Sequence, residues 1–177
     1  MSRGKVWSKV VIAALLGVML IGSGCTMFRK GKKASAEDMV APEPLPGDYG
    51  LTGREGFGPG EGTRLTDVKF ENLLFDFDSY QIKPSEQPKI AKVAEFMKSN
   101  PSVRLVTEGH CDERGSNEYN LALGEHRAAA VRAALISMGI DPSRITTKSY
   151  GEEMPLDPGH NEEAWRVNRR VEFAFYR

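Results

Sequence analysis

The stretch Thr107–Asn120 reads TEGHCDERGSNEYN and sets four carboxylates, a histidine and an arginine around Cys111. Three chemistries could use such residues: a metal site, a cysteine nucleophile, or a pocket that holds a charged ligand without transforming it. A zinc site could draw on His110, Cys111, Asp112, His126 and His160. Zinc ligands usually come as two tight pairs in a recognisable spacing, and no such pairing is present. Adjacent residues of an extended segment also point to opposite faces, so His110 and Cys111 cannot easily share one ion. His110 is better read as a hydrogen-bonded residue bracing its loop. A cysteine hydrolase needs a thiol beside a base that a third group orients. The acids around Cys111 would raise its pKa rather than lower it. Cys111 is therefore expected to be a small, partly buried residue, and no catalytic residue is assigned.

The elements that must position this stretch are legible in the patterning. Leu73–Phe77, LLFDF, is short, apolar and bounded by polar residues, as a strand is. Ser85 can cap a helix that carries Pro88 in its first turn and an apolar stripe of Ile90, Val93, Ala94 and Met97, and that stops at Asn100-Pro101. Val103, Leu105 and Thr107 alternate with Arg104, Val106 and Glu108 in a second strand. A longer helix is expected from about Asn117 to Met138, with Gly139 at its C-terminus. Ile145–Tyr150 forms a third strand and Val171–Tyr176 a last one, with a short helix near Asn161–Val167 between them. The order β-α-β-α-β-(α)-β implies an α+β domain with helices packed on a mixed sheet.

On a wheel of the long helix, Leu121, Gly124, Ala128, Val131, Leu135 and Met138 share one face, which is expected to be buried. Asn120, Leu123 and Arg127 lie together at its edge, close to the loop that carries Asp112. A cation at a helix N-terminus opposes the dipole, so Arg127 needs a carboxylate. That carboxylate is either Asp112, in a plain structural ion pair, or a ligand's, with Asp112 left to take a ligand's ammonium.

Several ordered motifs now carry a resemblance: Phe75-Asp76-Phe77-Asp78, Glu108-Gly109-His110, Asp112-Glu113-Arg114-Gly115, Glu118-Tyr119-Asn120, Ala122-Leu123-Gly124-Glu125, Arg127-Ala128, and Asn168-Arg169-Arg170. From about Leu73 to Tyr176 the chain resembles the OmpA-like peptidoglycan-binding domain. Within that family, the lipoproteins that work with Tol proteins look nearest. The resemblance implies that Asp112 and Arg127 grip the amino and carboxylate groups of diaminopimelate in the peptidoglycan stem peptide. Asn120 and Leu123 would lie on the pocket face, with Asp78, Tyr80 and Arg170 as wall candidates. It implies neither a cofactor nor a metal. Two positions depart from the family pattern: Cys111 replaces the usual Ala or Thr, and His126 stands where a second Arg is common.

The N-terminus supplies the setting. Arg3, Lys5 and Lys9 precede an apolar run from Val10 to Ile21, too short to cross a bilayer as a helix and suited to a secretory signal. Gly22-Ser23-Gly24-Cys25 resembles a bacterial lipobox, with Gly22 where Leu is usual, so Cys25 is expected to be acylated. Three regions follow: residues 1–24 a lipoprotein signal peptide, 25–66 a lipidated N-terminus with a Pro- and Gly-rich tether, and 67–177 the globular domain. With Cys25 acylated, Cys111 has no disulfide partner. Thr26 follows the cysteine where Asp would retain the protein in the inner membrane, so the resemblance implies an outer-membrane anchor with the domain facing the periplasm. From Asp67 onward 15 Lys and Arg face 18 Asp and Glu, a balance that argues against a nucleic-acid partner. The implied partners are the stem peptide, the outer membrane, and TolB with other Tol proteins. An OmpA-like interaction protein of another envelope complex, or a hydrolase using Cys111, are the alternatives.

Overall fold

The computed structural model describes residues 62–177; the expected signal peptide, Cys25 and residues 26–61 of the expected tether lie outside them. The elements run β1 (Leu73–Leu74), α1 (Gln87–Ser99), β2 (Arg104–His110), α2 (Asn117–Ser137), β3 (Ile145–Gly151), α3 (Glu162–Asn168) and β4 (Arg170–Tyr176). The strands form one mixed sheet in the order β1-β4-β2-β3. β2 and β3 pair in parallel, as two strands joined through a crossover helix must, while β4 runs antiparallel to both β2 and β1. The α+β class and the mixed sheet are as the sequence implies.

Local chemistry sets the helix ends. Ser116 caps α2 by accepting from the Tyr119 amide at 3.2 Å, and Gly139 leaves the helix at φ +90°. Asn161 caps α3 by accepting from the Ala164 amide at 2.9 Å. Ser85 does not cap α1. It lies inside a 3-10 turn, Pro84–Glu86, that leads into the helix.

The core gathers the stripe of α1 (Ile90, Val93, Met97), Val131 and Leu135 of α2, and Leu105, Val171 and Phe175 of the sheet. Leu121, expected in the buried stripe, is half exposed instead. The stripe is narrower than the wheel suggests because the first turns of α2 overhang a cleft rather than the core. There the buried positions are Tyr119, Asn120 and Leu123.

α2 lies unusually close to β2. A Cβ on Gly109 would stand 1.9 Å from the Gly124 carbonyl oxygen, so two facing glycines are what lets the backbones meet. Thr107, on the same face of β2, donates its hydroxyl to Ala128 O at 3.3 Å or Thr146 O at 3.2 Å.

Two expectations change at the chain's ends. Strand β1 is only two residues long rather than LLFDF. Beyond it the Phe75 amide donates to Arg169 O, and the chain then turns away through Asp78 at φ +54°. Residues 63 and 65, within the stretch expected as tether, pair their backbones with Arg177 and Phe175 at the end of β4.

On the other face of β2, the side opposite Thr107 and Gly109, His110 stacks on Tyr150 with ring centroids 5.2 Å apart. The ring braces by stacking and not by hydrogen bonds, since neither nitrogen has a partner of normal geometry among the described residues. Burial, reinforced by the Arg170 guanidinium, pushes the His110 pKa down to about 4 from an ordinary 6.5. The unfolded chain therefore takes up a proton between pH 6.5 and 4 that the folded chain refuses, and stability falls as pH drops through that window. The full shift is worth about 3 kcal/mol, opposed in part by Glu108, whose pKa burial raises. His110→Phe keeps the stacked ring and removes the titration. It should flatten the loss of urea resistance between pH 7 and pH 4.5, whereas an unchanged slope would show that His110 is not its source.

Candidate functional site

Where β1, the β2–α2 loop, the start of α2 and the α3–β4 junction converge, a small cleft opens. Phe77, Asp78, Cys111, Asp112, Arg114, Tyr119, Asn120, Leu123 and Arg169 line it. Its free volume, about 10 Å³, is no more than a single water needs.

Asp112 is the centre of the cleft and is buried. Arg114 reaches it at 2.6 Å through one terminal nitrogen and at 3.2 Å through Nε, and the Arg114 amide donates to it at 3.1 Å. Arg169 reaches it at 3.1 Å, holds Glu162 at 2.7 Å, and donates to Phe75 O at 3.1 Å. Burial pushes the Asp112 pKa up, but the hydrogen bonds from Arg114 and Arg169 outweigh it and hold the pKa below the usual value. Asp112 is thus an ionised carboxylate with two cations on it.

Arg127 does not line the cleft; it lies behind the wall formed by Cys111 and is 1% exposed. Its guanidinium donates to Ser79 O at 2.9 Å, His110 O at 2.8 Å, Asp76 O at 3.2 Å and the Cys111 sulfur at 3.3 Å. Within the described residues it has no carboxylate within ion-pair distance, so the plain Asp112–Arg127 pair does not form. Burial lowers its pKa, while Cys111, Asp112 and Asp78 act the other way. A buried guanidinium that meets only neutral groups is incompletely compensated and suits an incoming anion.

The other expected residues divide. Asp78, Asn120 and Leu123 line the cleft; Asp78 accepts the Tyr119 hydroxyl, and Asn120 donates to Glu152 at 2.5 Å. Burial and that hydrogen bond to Asp78 push the Tyr119 pKa up to about 12. Tyr80 packs behind the wall against Cys111, Tyr119 and Leu123, with its ring 5.4 Å from that of His126. Arg170 lies elsewhere, bound to Glu172 at 2.6 Å on the far side of the sheet. Arg169 takes the place in the cleft. Strand parity carried the signal, because Arg169 shares its face with Val171, Phe173 and Phe175 whereas Arg170 falls on the opposite one. Sequence reasoning also passed over Arg114, Phe77 and Tyr119.

The rival chemistries find little here. The Cys111 thiol is buried, donates to Asn120 O at 3.2 Å, and burial pushes its pKa up to about 11. Such a thiol stays protonated at neutral pH and is a poor nucleophile. Among the described residues no group of three or more His, Cys, Asp and Glu could hold a metal ion. The cleft is lined by two carboxylates, Asp78 and Asp112, and two guanidinium groups, Arg114 and Arg169, with the buried Arg127 behind Cys111, an arrangement suited to binding a small charged group.

The family model described as OmpA family matches residues 74–169. The chain is 36% identical over 167 residues to the peptidoglycan-associated lipoprotein of Pseudomonas aeruginosa, covering 90% of this chain and 93% of that one. It is 41% identical over 161 residues to the protein of the same name from Mesorhizobium japonicum, covering 91% and 88%. The crystal structure of the peptidoglycan-associated lipoprotein from Burkholderia pseudomallei superposes with a TM-score of 0.58 at 38% identity, over 62% of this chain and 91% of that one. With its mixed sheet, its ordered motifs and these relatives, the chain belongs to the OmpA family.

Proposed function

We propose that this chain is an outer-membrane lipoprotein that binds the diaminopimelate stem peptide of peptidoglycan without covalent chemistry, and so ties the membrane to the cell wall. The observation that carries this is a buried carboxylate in the cleft, Asp112, with the buried, carboxylate-free Arg127 directly behind the cleft wall at Cys111. A zwitterionic amino acid centre satisfies both at once: its ammonium goes to Asp112 and its carboxylate to Arg127. Charge-assisted hydrogen bonds of this kind are worth about 1.5–3 kcal/mol each. The names of the relatives support peptidoglycan as the target. Because Arg127 now holds the carbonyls of Asp76 and Ser79, an incoming carboxylate must displace part of that turn. Co-sedimentation of the chain with purified sacculi tests the proposal. Binding that soluble diaminopimelate muropeptide competes away is expected; release of new muropeptides would reveal a hydrolase instead.

Anchoring through Cys25, with residues 1–24 removed and the stretch from residue 25 up to the backbone pairs of Thr63 and Leu65 as tether, belongs to the same proposal. Two or more acyl chains hold stably where one does not, each buried CH₂ adding about 0.8 kcal/mol. A fatty-acid probe should label the wild type in growing cells and leave Cys25→Ala unlabelled; equal labelling would remove the anchor. Function within a Tol–Pal system, with TolB meeting the surface around the cleft, completes the reading. The half-exposed Phe77 at the cleft's mouth is an apolar contact for such a partner. Soluble muropeptide should then reduce capture of TolB by the chain.

A further inference from the structure

Arg114 stands where a ligand's ammonium must go. Its guanidinium is 2.6 Å from Asp112 and lies over two aromatic rings, 4.0 Å from the centroid of Phe77 and 4.1 Å from that of Trp165. With Arg114 in this position the cleft has room for about one water, so nothing the size of an amino acid enters until a side chain leaves. The two cations on Asp112 differ in their freedom. Arg169 is 6% exposed and is held by Glu162 and the Phe75 carbonyl as well. Arg114 is 28% exposed, belongs to the β2–α2 loop, and is followed by Gly115 at φ +122°. The remaining contacts of its side chain are the two rings and Glu162 at 3.8 Å, while its backbone carbonyl accepts from the Asn120 side-chain amide at 3.3 Å.

Resting on the pocket proposed above, we infer that Arg114 determines specificity as a built-in competitor for the cation position at Asp112, held over Phe77 and Trp165 until a ligand ammonium displaces it. If Arg114 left without a replacement, buried Asp112 would keep Arg169 alone. A neutral or anionic ligand therefore cannot displace it, while a primary ammonium can. The two rings stabilise the closed arrangement, so the same contacts that exclude other ligands also weaken binding of the correct one. Removing the competitor should tighten binding.

The test titrates a soluble diaminopimelate muropeptide into the full chain as wild type, Arg114→Ala, Trp165→Ala and Asp112→Ala. Trp165 is the reporter where it is retained, and Trp7→Phe is added throughout because the full chain keeps residues 1–24. Arg114→Ala is expected to bind about tenfold more tightly than wild type, and Trp165→Ala about fivefold, since it keeps the charge and loses one ring. In wild type, saturation should change Trp165 emission as the guanidinium leaves its face; in Arg114→Ala that change should vanish although binding persists. A role confined to holding the loop would not produce this pair of results. Unchanged or weaker binding in Arg114→Ala, with binding lost in Asp112→Ala, would overturn the inference and leave the pocket standing. Equal binding by Asp112→Ala and wild type would remove the pocket and the inference with it. Should Arg114→Ala fail to fold, Trp165→Ala decides alone, tighter binding supporting the competitor and unchanged or weaker binding refuting it.

Discussion

Gly109→Ala is expected to lower stability by at least about 3 kcal/mol and to leave little folded protein in moderate urea. The added methyl would lie 1.9 Å from the Gly124 carbonyl oxygen and 2.6 Å from its carbon. Both are backbone atoms of α2, so no side-chain rotation relieves the clash, and the helix must move off the sheet. That movement would separate α2 from β2 and β3, against which the core residues Val131 and Leu135 pack, and would tilt the start of α2, which carries the cleft wall. The reciprocal change has a softer obstacle. A Cβ on Gly124 would meet the Ser149 hydroxyl at 2.3 Å, a side-chain tip that can turn away, and the Gly109 carbonyl oxygen at a tight but tolerable 3.1 Å. Gly124→Ala should therefore cost clearly less than Gly109→Ala. Urea denaturation of the two variants beside wild type checks this, and Gly109→Ala within about 1 kcal/mol of wild type would contradict the close approach.

The reasons that made the fold legible also explain where the site was not. Helices α1 and α2 announce themselves because their apolar positions recur at helical spacing and end at Asn100-Pro101 and Gly139. The strands show alternation or short apolar runs. Strand β1 misleads because Phe75 is apolar for a different reason: it packs in the core while the turn after it aims the carbonyls of Asp76 and Ser79 at Arg127. Asp112, Asn120 and Leu123 line one cleft, with Arg127 buried behind it, because a loop and the first three turns of one helix hold them, a grouping that spacing alone suggests. Arg114 and Arg169 were missed because a satisfied carboxylate gives no sign in the sequence of which cations satisfy it. Arginines are plentiful in this chain, and only the tertiary contact between the β2–α2 loop and the α3–β4 junction selects these two. His110 shows the limit from the other side. A histidine in a polar motif suggests hydrogen bonds, yet burial against Tyr150 leaves its ring nitrogens without partners of normal geometry among the described residues.

Loss of either charged anchor is expected to have the largest effect on binding. Asp112→Ala takes away the acceptor for the ammonium and leaves Arg114 and Arg169 facing each other without the carboxylate between them. Arg127→Ala takes away the donor to the ligand and also releases the carbonyls of Asp76, Ser79 and His110, so it lowers stability as well as affinity. Each should weaken binding by at least about 2 kcal/mol, or roughly thirtyfold. Arg127→Lys retains the charge without the planar fork and should recover only part of the loss. Folding and binding separate on inspection: thermal unfolding reports the released carbonyls, and titration below the melting temperature of each variant reports the ligand.

Calorimetric titration of two stem peptides into wild type and Arg127→Ala weighs most on the binding mechanism. One peptide carries diaminopimelate; the other carries lysine, which keeps the ammonium and lacks the second carboxylate. If Asp112 holds the ammonium and Arg127 the carboxylate, wild type should bind the diaminopimelate peptide at least about thirtyfold more tightly than the lysine peptide. In Arg127→Ala the two peptides should bind with similar weak affinity, because the group that told them apart is gone. Equal affinity of wild type for both peptides would contradict the mechanism.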